Sequence, residues 1–454
     1  MGTLAETLSR FAYSLRFEDL PQSVIHEAKR RIIDSLGCAL GSVEEKPVTI
    51  VRSLALEVSS RRGATLLGTV HKSSPDLAAF VNGIMIRYLD YNDNYASLTP
   101  SHPSDNLSAA LSLAEAEEAG GRELITALVL GYEVQCRLCD AASLKARGWD
   151  HVTYGALSTA LVSGKLLRLT EEQMVHALAL AAVPNVALRL TRFGELSMWK
   201  GCASANAARN GVFAALLAKR GMTGPAPLFE GEKGFFNQVT GAFGLGPLGS
   251  PFKILESSIK FYPAEFLGQT AIEAALSLRE QISSIDQIAG VDIDTFDACV
   301  KGIAEGPRKW KPATRETADH SLPYCVAVAL ADGAVTSRSF SAERISDPKL
   351  YELMQKIHVH SNADLTAQYP KVMPNEIRIQ LGSGKVIETK VSYAHGHPKN
   401  PLTDAEVETK FRGLASALLP EEKMSEILAQ VWGLERARTL DSLLLLLNLV
   451  GDNA

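Results

Sequence analysis

Residues 377–393, IRIQLGSGKVIETKVSY, alternate apolar and polar side chains on either side of a turn holding Gly382 and Gly384, the pattern of a β-hairpin. Working outward, VDIDTF (291–296) alternates in the same way and KIHVHS (356–361) is strand-like, whereas LPYCVAVALADG (322–333) and ISDPKLYELMQ (345–355) carry helical spacing. The stretch 258–392 therefore reads as an α+β unit. Its surroundings have a different character. DLPQSVIHEAKRRIIDSLGCAL (19–40), DLAAFVNGIMIRYL (76–89), GRELITALVLGYEVQCRLCDAA (121–142) and TEEQMVHALALAA (170–182) repeat apolar residues at intervals of three and four. From Asp404 the helical pattern resumes and ends in ARTLDSLLLLL (437–447), which is expected to return to the first helices. The expected fold class is mainly α with an α+β insertion.

A chain of 454 residues has room for two or three domains. Its 46 Lys and Arg against 51 Asp and Glu give a net charge of -5 with no basic face or acidic tail, so neither nucleic acid nor an anionic membrane is implied. The amino-terminal residues lack the apolar core of a signal peptide, and no apolar run, Leu443 to Leu447 included, approaches the roughly 18 residues a membrane span needs. Six cysteines among apolar neighbours fit reduced thiols rather than a disulfide scaffold. The expectation is a cytoplasmic protein whose partners are small molecules or a second copy of itself.

The densest chemistry lies in residues 88–106, YLDYNDNYASLTPSHPSDN, where Asp90, Asp93, His102 and Asp105 follow the end of a helix. A carboxylate that orients a histidine is a standard general acid/base pairing. Ser104, Asp105 and Asn106 read more simply as the cap of the next helix, LSAALSLAEA. No zinc-type spacing accompanies these residues, and His358 and His360 read as the solvent face of a strand. Cys136 and Cys139 lie inside a continuous helical pattern, which argues against an iron-sulfur or redox motif. The glycine-rich run 229–251 lacks the Gly-Lys-Ser/Thr ending of a phosphate loop and reads as an ordered connection. His151, Lys200 and Lys260 stand apart as polar groups among small or aromatic neighbours.

In order along the chain, DYNDNY (90–95) with HPSDN (102–106), GELSMWKGCASANAARNG (194–211), IKFYPAE (259–265) and RKWKPATRETADHSLPY (308–324) resemble the MmgE/PrpD family, whose best-known members are 2-methylcitrate dehydratases. The resemblance implies a large helical domain built from both chain ends (1–257 and 393–454), an α+β lid domain between them (258–392), and a homodimer. The family also contains cis-aconitate decarboxylase, and its active-site pattern falls on Asp90, His102, His151, Lys200, Lys260 and Tyr324. This chain has Asn94 where the decarboxylase has threonine and Glu265 where it has histidine; dehydratase relatives often have a histidine near Leu267.

The implied activity is dehydration of a tricarboxylate, 2-methylcitrate to 2-methylaconitate, with cis-aconitate decarboxylation and citrate dehydration as alternatives and a non-catalytic binding protein as the rival from another class. Asn94, Lys200 and Lys260 are expected to hold substrate. His102, oriented or charged by Asp90, is expected to move a proton with His151 as its counterpart, the choice of acid and base being open, and Tyr324 to donate to a carboxylate or the leaving oxygen. No metal or organic cofactor is required on this reading.

Overall fold

The structure, a computed structural model, describes residues 2–449; Met1 and residues 450–454, the outermost ends of the helical domain expected from the sequence, lie outside the described residues. The chain forms two compact units. Among the described residues the first comprises 2–193, 198–257 and 403–449, and the second 194–197 and 258–402. The fold is mainly helical with a small α+β part, as the hydrophobic periodicities predict. No helix is long and apolar enough to cross a membrane among the described residues.

The first unit is a stack of helices: α1 (Gln22–Gly41), α2 (Pro75–Arg87), α3 (Asn106–Ala116), α4 (Gly121–Ala141), α5 (Val152–Leu166), α6 (Glu171–Ala182) and α7 (Trp199–Lys219). Helices α3, α4 and α5 are buried along nearly their whole length, α3 and α5 because small and apolar residues cover every face. Glu133 and Arg137 inside α4 are matched. Arg137 Nε donates to Glu133 Oε1 at 2.8 Å, and that fully buried carboxylate also accepts from the backbone N–H groups of Gly249 and Lys253 at 2.8 and 2.7 Å, which holds the glycine-rich connection in place.

Cys136 and Cys139 are buried on α4, and burial pushes the Cys139 thiol up to about 12, the character of structural rather than reactive cysteines. A later helix, α10 (Asp404–Ala415), packs on α1, with Lys410 Nζ 2.6 Å from the buried carboxylate of Asp34.

In the second unit, β1 (Ile288–Thr295), β2 (Ile357–Ser361), β3 (Asn375–Leu381) and β4 (Val386–Val391) form one sheet in the order β2-β1-β3-β4. β1 runs parallel to β2 and antiparallel to β3, with Ile293 opposite Val359 and Ile377; β3 and β4 are the predicted hairpin. Alternate residues Ile377, Ile379 and Leu381 face inward, and α8 (Gln269–Arg279) covers that side with α9 (Leu322–Asp332) packed against it. His360 instead is exposed, 3.1 Å from Asp292, as a solvent-facing strand residue should be.

Candidate active site

Helices α2 and α7 pack closely because small residues line α7. A side chain at Gly201 would bring its Cβ within 2.8 Å of the Tyr88 ring, so glycine is what lets the start of α7 lie against the end of α2. Lys200, one residue earlier, is thereby set beside the residues that follow α2. There Asp90 adopts φ 51°, a left-handed conformation that aspartate tolerates better than most residues. This turn brings its carboxylate onto Arg87 Nη1, with Lys200 Nζ 3.8 Å away from its other oxygen. Arg87, Asp90 and Lys200 are all buried.

Arg87 also reaches His102. Its Nη2 lies 2.9 Å from His102 Nε2, while His102 Nδ1 lies 2.7 Å from the backbone carbonyl of Asp93. A guanidinium has only donors and a carbonyl only lone pairs, so the ring must carry its proton on Nδ1 and its electron pair on Nε2. The expected link between Asp90 and His102 thus runs through Arg87, which the sequence presented only as the last cation of a helix.

The Asp93 side chain does structural work: it accepts from Ser104 N (3.1 Å), Ser104 Oγ (2.6 Å) and Tyr132 Oη (2.6 Å). Burial raises its carboxyl above the ordinary value, against Arg31 and those donors. Asn94 is buried too, with its Nδ2 lacking a hydrogen-bond partner.

The capping expectation for Ser104, Asp105 and Asn106 is corrected by this network. A short 3-10 turn, Pro103–Asp105, runs directly into α3, Asp105 is already helical at φ -56°, and its side chain makes no capping bond. Ser104 goes to Asp93, and Asn106 Nδ2 donates to Pro103 O (2.9 Å) and Gln135 Oε1 (2.6 Å). Asp105 accepts from Asn92 at 3.2 Å, and burial pushes its carboxyl up to about 7 despite the opposing charge of Arg87.

His151 stands at the start of α5, its ring centroid 5.5 Å from that of His102 and nearly perpendicular to it. Its Nδ1 is 2.9 Å from Asp150 Oδ1, while its Nε2 is buried with no hydrogen-bond partner. Burial lowers the affinity of this ring for a proton, and Asp150 only partly offsets that. Asp150 is itself held by Arg192 Nε at 3.0 Å. Burial would raise its carboxyl, but Arg192 and His151 outweigh that and keep it well below the usual range. Arg192 Nη1 in turn donates to the backbone carbonyl of Lys200 at 3.1 Å, tying the His151 side to α7.

In this unit Asp90, His102, His151 and Lys200 are brought into one polar region, and Asn94 is buried next to Asp93, whose carbonyl meets His102. Arg87, Asp150 and Arg192 complete it, and sequence reasoning missed them. Asp150 alone had a signal, as the residue directly before His151.

The other two expected residues belong to the second unit. Lys260 is buried in a segment positioned by a bond from Ile259 N to Gly396 O (3.1 Å). Gly396, at φ 94°, approaches so closely that a Cβ there would lie 1.9 Å from Ile259 O. Tyr324 is fully buried at the start of α9, and its hydroxyl donates to the Ser339 carbonyl at 2.7 Å. Close by in sequence, Asp319 and His320 form a second carboxylate-imidazole pair at 2.5 Å. Burial lowers the proton affinity of Lys309, opposed by Asp319 and Glu265.

Residues 6–247 match the MmgE/PrpD N-terminal domain and residues 262–434 the MmgE/PrpD C-terminal domain, so the chain belongs to the MmgE/PrpD family. It is similar to the 2-methylcitrate dehydratase of Cupriavidus necator, 29% identical with 94% of this chain and 92% of that protein covered. It is equally similar, at 29% identity over 85% of each chain, to the 2-methylcitrate dehydratase of Escherichia coli. An alkylcitrate dehydratase from a fungal species is 31% identical over 86% of this chain and 83% of its own.

Proposed function

We propose that this protein is a hydro-lyase that converts 2-methylcitrate to 2-methylaconitate without a metal or organic cofactor. Its relatives carry that activity in their names, and the first unit holds groups suited to each step. The reaction takes a proton from the carbon bearing one carboxylate, breaks the bond from the neighbouring carbon to its tertiary hydroxyl, and leaves a double bond and one water.

The observation that carries the reading is His151: Asp150 fixes its tautomer from behind and stabilises the imidazolium, while an unpartnered Nε2 holds the electron pair that receives the proton. The same Nε2–H then protonates the departing hydroxyl, so the proton removed from carbon leaves in the water. Lys200 holds a substrate carboxylate and stabilises the charge that develops on it, and Asn94 adds a neutral hydrogen-bonding group.

The test is a panel of tricarboxylates incubated with chelator-treated protein, with products identified by mass. Loss of one water from 2-methylcitrate is expected. Release of carbon dioxide from cis-aconitate would replace the proposal with decarboxylation, and tight binding without turnover would make the protein a binding module. We further propose that it acts as a homodimer in the cytoplasm, where its six buried cysteines stay reduced. Light scattering at twice the chain mass is the expected result.

A further inference from the structure

We infer that Arg87 is a carboxylate-sensitive positioning residue, covering His102 Nε2 until a substrate carboxylate draws the guanidinium away. The inference deepens the proposed reaction and rests on it for the identity of the ligand. The fork of Arg87 is divided between two unlike acceptors: Nη1 serves the Asp90 carboxylate and Nη2 the imidazole of His102 at 2.9 Å. These are not equal. A bond from a guanidinium to a carboxylate, with charge on both partners, is stronger than one from the same guanidinium to a neutral imidazole. An incoming carboxylate therefore outcompetes the neutral ring for Nη2, but not Asp90 for Nη1. Asp90 keeps the guanidinium anchored while one arm changes partner.

What is uncovered stays aimed. The Asp93 carbonyl, 2.7 Å from Nδ1, holds the ring independently of Arg87, and Asp93 is itself fixed by Ser104 and Tyr132. Departure of the arginine thus exposes an oriented lone pair rather than a rotating ring. Only Arg can do this, because a lysine ammonium lacks the planar fork that serves two acceptors along fixed directions.

The experiment is nitrogen-15 NMR of histidine-labelled full-length protein, with His102 assigned by loss of its signals in His102→Gln, titrated with tricarballylate, a tricarboxylate that has no hydroxyl to lose. Before addition, His102 is expected as the Nδ1–H tautomer with an Nε2 resonance shifted by an accepted hydrogen bond. On addition, that resonance moves to the position of an uncovered nitrogen. Arg87→Lys should show the uncovered position from the start and raise KM for 2-methylcitrate about tenfold with a smaller fall in kcat, the loss of one charge-assisted bond. A merely structural arginine would lower activity without moving the resonance.

A wild-type ring protonated on Nε2, or an Nε2 resonance that stays put throughout the titration, overturns the inference. The spectrum reports Arg87 and His102 whether or not product forms, whereas water loss in the tricarboxylate panel reports the reaction. A shift without dehydration sinks the proposed function alone, and dehydration without a shift sinks the role of Arg87 alone.

Discussion

His102 and His151 are neighbours, with ring centroids 5.5 Å apart, yet their surroundings have opposite electrical sense. Behind His151 stands a carboxylate, Asp150, and its outer nitrogen is unpartnered. Behind His102 is a neutral carbonyl, and in front of it lies the guanidinium of Arg87. A carboxylate behind a ring stabilises the imidazolium formed when the ring takes a proton; an arginine in front opposes that cation and occupies its electron pair. In the proposed mechanism one residue type therefore serves as the base at one position and as a covered acceptor at the other. The side chains that make the difference are Arg87, Asp150 and Arg192.

The largest expected effect breaks or keeps this contrast. His151→Gln should lower kcat about a thousandfold, within the range of a lost general acid/base, and His102→Gln about a hundredfold or less. In the wild type kcat/KM should rise with pH, because the base must be unprotonated, and its midpoint should fall below about 6.5 because burial lowers the His151 proton affinity. That acidic limb should vanish in His151→Gln and persist in His102→Gln. The reverse pattern, measured in pH-rate profiles of the two variants, would exchange the roles assigned here.

A smaller effect sharpens the His151 side. Gly201→Ala would place a methyl group 2.8 Å from the Tyr88 ring, and overpacking of this kind costs about 2 kcal/mol. Because the carbonyl of Lys200 accepts from Arg192, which holds Asp150, displacement of α7 should disturb His151 and Lys200 together. Denaturant melts should show the stability loss and steady-state kinetics a lower kcat. Unchanged kcat would show that the His151 group does not depend on the register of α7.

How much of this was readable beforehand follows from what each feature depends on. The hairpin at 377–393 and the helices flanking it were legible because period-two and period-3.6 patterns are local and survive into the folded chain. Asp90, His102 and His151 were visible as residue types able to move protons. The link between them was not visible, because it depends on the left-handed turn at Asp90 and on the way α2 meets α7. The caps proposed at Ser104 to Asn106 failed for a similar reason. A preceding 3-10 turn already continues into the helix, which frees those side chains for partners on α4 and in the loop.

Asp105 gives a test on the His102 side. Its folded carboxyl is pushed up to about 7, against about 3.9 when unfolded. The folded state thus holds a proton that the unfolded chain gives up earlier. This contribution is fully present below about pH 4 and is lost as pH rises toward 7, with a slope near 1.4 kcal/mol per pH unit. Asp105→Asn should flatten that part of the stability profile in denaturant melts run across this window. A slope identical to wild type would mean that Asp105 stays ionised beside Arg87, and the charge facing His102 would then be more nearly balanced than the contrast requires.

The smallest expected effect decides whether the contrast between two histidines is sufficient. If His151 returns the proton to the leaving hydroxyl, Tyr324 has no proton to supply, and its full burial with the hydroxyl 2.7 Å from the Ser339 carbonyl gives it a structural task instead. Tyr324→Phe should then cost about 1 kcal/mol of stability, the worth of one buried hydrogen bond, and leave kcat within about twofold. A fall of a hundredfold or more in kcat with an unchanged melting profile would instead make the phenol the acid, and His151 the base for carbon alone. The two results differ in which quantity moves, so a single variant measured for both stability and turnover separates them.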